Sequence, residues 1–290
     1  MAHRPSPNAF YLMFFLQLRN ELWKLFGKKR TYIGFGMFLL AQIVITLVFR
    51  FSHARHSMVR QLEGNGYLAE QFISSLTIAT IMLFPIAYIL LPLYVSLIGG
   101  DLVAKEAEDG TLRMILARPI SRLRLLLLKW IAGVIFSILL VFSLGIFGIV
   151  FATPFFHWGG LFAFIPGELF SVFDAATGLQ HYIAAHFALV AKAVTIMGLA
   201  FMFSCFNIKP AAATILSLSF VFVNFILMQI PFFKEYQHWF FTYHLNLWQN
   251  MFAQPIPWWR VGESFSILLG FNLTFLIIGC AAFQIRDIKS

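Results

Sequence analysis

Apolar residues fall into six long runs, at about 31–49, 76–98, 126–152, 183–206, 211–230 and 263–284. About 20 apolar residues rising ~1.5 Å each cross the hydrocarbon layer of a bilayer, so each run predicts a membrane-spanning helix. Ahead of them, residues 10–28 place Tyr11, Phe14, Phe15, Leu18, Leu22, Leu25 and Phe26 on one helical face. Gln17, Asn20, Glu21, Lys24 and Lys28 fall opposite. This is the pattern of a helix lying in the membrane interface, closed by Gly27 and the Lys28-Lys29-Arg30 cluster. An orientation anchor without a mechanical role is an equal reading. The connections are too short for a soluble domain, and no internal repeat is visible. Segment 153–182, with Pro154, Gly159, Gly160, Pro166 and Gly167 around short apolar pieces, predicts short surface helices, as does the aromatic segment 231–260. The fold class is all-α: a single transmembrane domain over 1–290, with a loop at 99–129 between spans two and three.

Composition agrees. Of the residues, 60% are hydrophobic and 11% charged, against about 25% charged in soluble domains. The 36 Phe and 7 Trp exceed what a core of this size buries. Lipid is the solvent for most of the chain. A net charge of +9 would point to nucleic acid in a soluble protein, but here its distribution matters more and no nucleic-acid partner is expected. Counted by side, residues 1–30, the loop 99–129, Lys209, Arg286 and Lys289 carry 15 Lys and Arg; Arg50, Arg55, Arg60, Lys234 and Arg260 make 5 on the other. By the positive-inside rule the first side, with both termini, is cytoplasmic, and a cytoplasmic (inner) membrane location is expected. All seven Trp lie near span ends, as in an aromatic belt. Cys205 and Cys280 sit in apolar runs and read as free packing thiols. The first apolar run, Phe10 to Leu16, is short and lacks a cleavage pattern, so the N-terminus is expected to remain.

The most informative segment is Gly100 to Trp130. Glu106, Glu108 and Asp109 precede a Gly110-Thr111 break; Leu112, Arg113 and Leu116 belong to an apolar-basic piece; Pro119 then restarts a helix that Arg122 and Lys129 flank. A short charged helix between two spans is a handle for a soluble partner, with charges fixing register and Leu112, Ile115 and Leu116 supplying burial. The bland reading is a topogenic segment whose acids aid solubility.

These residues resemble the ABC-2 type permeases, membrane subunits of one class of ATP-binding-cassette transporters. The pattern E-x-E-x-G-T-L, P-x-S-R and a Lys at the third span falls on Glu106, Glu108, Gly110, Thr111, Leu112, Pro119, Ser121, Arg122 and Lys129. Where that family often has Gly before the Lys, this chain has Leu128. The layout and the F-N-I-K-P-A-A-A turn at 206–213 are similar too. The resemblance implies a permease that pairs with a second copy, as a homodimer, and docks separate ATPase subunits, with Glu106 to Leu116 as the coupling element. It implies export, or sometimes import, of a substrate, and ATP and magnesium held by the partner ATPase rather than by this chain. No G-x-x-x-x-G-K-[ST] phosphate loop occurs, so ATP hydrolysis is not expected here.

Within the spans, Lys192 is the residue most out of place, since a central Lys costs about 2.5–3.5 kcal/mol on insertion scales. It borders a small-residue face of Ala184, Ala188, Ala191, Thr195 and Gly198. It is expected to point into the bundle or a dimer interface and meet Asn224 or Asn272; it either lines a route for an anionic or lipid-headgroup substrate or pairs structurally. Pro85 and Pro92 should kink the second span, at a pathway or as a packing irregularity. His53 and His56 lack further ligands, so no metal site is expected, and His181 and His186 read as interfacial. An intramembrane enzyme would need a motif such as H-E-x-x-H or G-x-S-x-G, and none occurs. A gradient-driven transporter or channel, or a non-transporting sensor on the same scaffold, stays open.

Overall fold

The computed structural model describes residues 7–52, 54–117, 120–165 and 169–286. The helices are α1 (Pro7–Phe26), α2 (Lys29–Phe51), α3 (Ala54–Gly64), α4 (Ala69–Phe72), α5 (Ser75–Pro85), α6 (Leu91–Glu108), α7 (Thr111–Leu116), α8 (Arg122–Ala152), α9 (Ala175–Cys205), α10 (Pro210–Gln229), α11 (Phe241–His244) and α12 (Trp258–Ile285). Six helical stretches are long and apolar enough to cross a membrane: α2, α5 running into α6, α8, α9, α10 and α12. The protein is an all-α, multi-pass membrane protein. Its starts and stops follow local chemistry. Asp174 caps α9 by accepting from the N–H groups of Ala176 and Thr177 at 3.0 and 3.1 Å, so the helix that carries the fourth span begins at Ala175.

The fourth span is the axis of the bundle. Its most apolar stretch is 72% buried, against 17% for α2, and α6, α8, α10 and α12 pack around it. Close approach of α6 depends on Gly99, where an added Cβ would stand 2.4 Å from the Met197 carbonyl oxygen. Pro85 ends α5 and Pro92 lies in the first turn of α6; between them Ile86–Leu90 forms a π turn. Missing proline donors and a widened turn are linked, because each Pro leaves a carbonyl to be satisfied otherwise.

Segment 153–182 differs from expectation. Instead of short helices, Leu161–Ile165 (β1) and Leu169–Phe173 (β2) pair antiparallel, Leu161 opposite Phe173 and Phe164 opposite Phe170. Pro166, Gly167 and Glu168 lie outside the described residues. The start of α5 is fastened to this segment: Ser74 Oγ donates to the Gly160 carbonyl at 2.6 Å, and Thr77 Oγ1 accepts from the Phe162 N–H at 2.8 Å. The aromatic segment 231–260 does form short helical turns, Pro231–Trp239, α11 and Leu247–Phe252. Trp248 is not a belt residue: it is fully buried between Phe84 and Phe252.

The first helix divides its side chains between the bundle and the outside. Glu21 and Leu25 are buried, whereas Phe15 is 64% exposed. Leu18, Leu22 and Phe26 pack against the core.

Candidate functional site

The loop-side end of the second span is built around a left-handed glycine. Gly110 has φ +73°, and a Cβ there would meet no atom, so the turn's demand for glycine is conformational. Thr111 Oγ1 donates back to the Glu106 carbonyl at 3.3 Å, and Leu112 is buried at 2% exposure. Ser121 accepts from the Arg124 N–H at 3.3 Å and caps α8. Arg122 donates to the carbonyls of Gln284 and Arg286 at 3.1 and 3.2 Å, holding the last turn of α12 beside the first of α8. Thr111, Ser121 and Arg122 of the motif thus each have a structural duty. Arg118 and Pro119 lie outside the described residues.

Leu112 is buried in this chain's own core, and Ile115 and Leu116, half-buried, pack against it. Leu112 is therefore taken up by this chain rather than left for a partner, whereas Ile115 and Leu116 keep part of their surface outward. The outward surface consists of Glu108, Asp109, Gly110, Arg113, Met114 and Ala117, with Met114 65% exposed. Lys105 binds Glu108 and Asp109 at 2.8 and 3.1 Å, fixing their position along the helix.

Glu106 points the other way, into a closed ring of four alternating charges. Lys129 Nζ lies 2.9 Å from Glu21 and 2.8 Å from Glu106; Lys24 Nζ lies 2.6 Å from Glu21 and 3.1 Å from Glu106. The ring is neutral overall, and its Lys129 side chain is only 2% exposed. Lys24 stays 44% exposed, and burying the other three charges is costly unless each faces its opposite, which this closure ensures. Burial raises the Glu21 carboxyl, but Lys129 and Lys24 outweigh that and hold it below its ordinary value. For Lys24, burial is likewise outweighed, by Glu21 and Glu106, and its ammonium is held above its ordinary value. Alongside, Arg30 meets the buried Asp101 at 2.6 Å. Above the ring, Phe136 contacts Phe26, Phe35 and Tyr94, joining α1, α2, α6 and α8 in apolar contact as well.

Deeper in the bundle, Lys192 is buried at 3% exposure and sits 4.7 Å over the Tyr88 ring, on the π turn. Gln249 donates to the Tyr88 hydroxyl at 2.7 Å. Neither expected amide meets Lys192: Asn272 donates to Thr195 Oγ1 at 2.7 Å while its Oδ1 has no partner, and Asn224 donates to its own helix. Pro85 and Pro92 frame the turn that carries Tyr88, so all three pathway candidates meet at one place. His186 is buried rather than interfacial, with Nδ1 2.8 Å from the Tyr182 carbonyl oxygen. His53 lies outside the described residues, among which no cluster of metal-ligating side chains occurs.

Residues 24–288 match the family described as ABC-2 family transporter protein. The chain belongs to the ABC-2 transporter family. No curated protein matches it. The match spans the Gly110 turn, all six membrane helices and three of the four ring residues, Lys24, Glu106 and Lys129, while Glu21 and most of α1 precede it. Sequence reasoning placed the ABC-2 motif but missed the ring. Glu21 falls on the polar face of α1 in the sequence, and the only hint of the ring there was an acid on that helix far upstream of the motif's Lys129.

Proposed function

We propose that this chain is the permease subunit of an ABC transporter and that a separate ATPase docks on the surface formed by Glu108, Asp109, Gly110, Arg113 and Met114. The observation that carries this reading is the ring: the turn bearing that surface is tied by Glu106 and Lys129 directly to α1 and α8. A displacement at the turn is thereby shared by three elements at once. In this reading α7 is the contact helix and Leu112 and Leu116 anchor it to the bundle. The ATP and magnesium belong to the partner, and a second copy of the chain completes the pathway. Both termini and the docking surface face the cytoplasm, and the chain lies in the cytoplasmic membrane, as the excess of Lys and Arg on that side supports.

The test is purification from native membranes, with identification of co-purifying P-loop ATPases and vanadate-sensitive ATP hydrolysis as readouts. Wild type is expected to recover an ATPase that Met114→Asp loses while keeping its thermal midpoint. Retention by the variant would displace the docking surface, and absence from the wild type would remove the permease reading.

Buried beneath a proline-framed turn, Lys192 supports a finer proposal: its ammonium meets an anionic group of the transported substrate, which leaves the cell along the bundle at Tyr88.

A further inference from the structure

At the end of the bundle opposite the charge ring, a cavity of about 220 Å³ opens between the end of α2, the start of α3, α4 and the segment after α8. Arg50, Arg55, Glu70 and His157 form its polar wall; Ile73, Phe155 and Phe156 form the apolar one. This side of the chain has 5 Lys and Arg in all, and two of them meet here. Neither guanidinium has a carboxylate within ion-pairing distance among the described residues, although Glu70 stands on the same wall. Arg50 instead lies 5.9 Å over the ring of Phe51.

Two guanidiniums without an ion pair on one concave wall offer charge-assisted hydrogen bonds to an anion between them. Size narrows the ligand. Sites that enclose a whole small molecule run to roughly 300–1,000 Å³, so a cavity of about 220 Å³ takes a head group and leaves the rest outside. Apolar surface for the remainder is at hand: Phe51 is 77% and Phe155 43% exposed. We propose that this cavity binds the phosphate or carboxylate head of an anionic amphiphile, held by Arg50 and Arg55, with its apolar body against the phenylalanines. The site needs only the bilayer and is independent of ATPase docking. Two sources share this chemistry, an anionic bilayer lipid and an amphiphilic cargo.

The test uses the full chain in detergent, titrated with phosphatidylglycerol or phosphatidylcholine and read by native mass spectrometry, with dodecyl phosphate and inorganic phosphate as competitors. Wild type is expected to bind at least one of phosphatidylglycerol and dodecyl phosphate about tenfold more tightly than phosphatidylcholine. Inorganic phosphate is expected not to compete. The Arg50→Gln/Arg55→Gln variant is expected to lose the preference, and Glu70→Gln, an exposed change, to strengthen it. Preference for phosphatidylglycerol identifies the lipid source; preference for dodecyl phosphate alone identifies an amphiphilic cargo. Wild type without preference for either overturns the proposal. So does a preference unchanged in a double variant with wild-type thermal midpoint, or, should that variant not fold, an affinity that Glu70→Gln leaves unchanged.

Discussion

Lys129, in the second turn of α8, places its ammonium 2.8 Å from Glu106, in the last turn of α6. These helices are joined by a turn that contains α7, so the pair closes the structure at the base of the surface proposed for docking. A second bond to Glu21, at 2.9 Å, brings α1 into the same contact.

Removing Lys129 leaves two largely buried carboxylates facing one another with only Lys24 between them. Lys129→Met is expected to lower stability by about 3–5 kcal/mol, the usual cost of breaking a buried ion pair from one side. Adding Glu21→Gln should restore part of the loss. Thermal unfolding of the two single variants and the double variant gives the coupling energy, and strict additivity would contradict a ring.

The ring also sets a pH window. The Glu21 carboxyl is depressed below 4.5, so its contribution is present above that value and is lost as pH falls through its folded-state pKa. The Lys24 ammonium is raised above 10.5, so its contribution is present below that value and is lost as pH rises through its folded-state pKa. Amide exchange in α1 is expected to show constant protection between these limits and to weaken beyond both. Glu21→Gln should flatten the acid arm, and Lys24→Met the alkaline one.

Gly110 tests the turn itself. With open space around the position, substitution costs only backbone strain, on the order of 1 kcal/mol for Ala. The expected order of damage is Asn, then Ala, then Val, because Asn tolerates left-handed geometry and a β-branched residue does not. Thermal midpoints check the order. A larger fall in ATPase stimulation than in stability would separate coupling from folding.

For Lys192, the expected result of Lys192→Met is a thermal midpoint equal to or above wild type, since a buried charge is replaced by a side chain of similar length. Transport in vesicles should fall at least about tenfold, the equivalent of 1.4 kcal/mol. A folded variant that transports normally would assign Lys192 a structural role.

The spans were legible because lipid imposes a long unbroken apolar run, and little else produces one. The segment around Leu161–Ile165 was not, because every residue in L-F-A-F-I and most in L-F-S-V-F are apolar, leaving neither the two-residue nor the 3.6-residue period to read. At the site, Gly110, Ser121 and Arg122 were visible as a motif because their duties are local or terminal. Glu21 was misplaced for the opposite reason. On α1 alone it belongs with Lys24 on a polar face, and only the arrival of Lys129, 108 residues later in sequence, makes that face an inward one. Lys192 was rightly marked as odd, but its neighbour is an aromatic ring rather than an amide, and one sequence carries no sign of that.

The second span is held at both extremities, by Ser74 and Thr77 at one and by Glu106 at the other. Between them the Ile86–Leu90 turn carries one residue more than an ordinary helical turn would. Drawing that surplus residue back into regular α-helix would twist one half of the span by about 100° against the other and shift it by about 1.5 Å. A rod clamped at both tips cannot take up that twist at its waist unless one clamp turns with it, so the slack stays locked until a tip is released, and the side chain that would then swing with the waist is Tyr88, the one beneath Lys192.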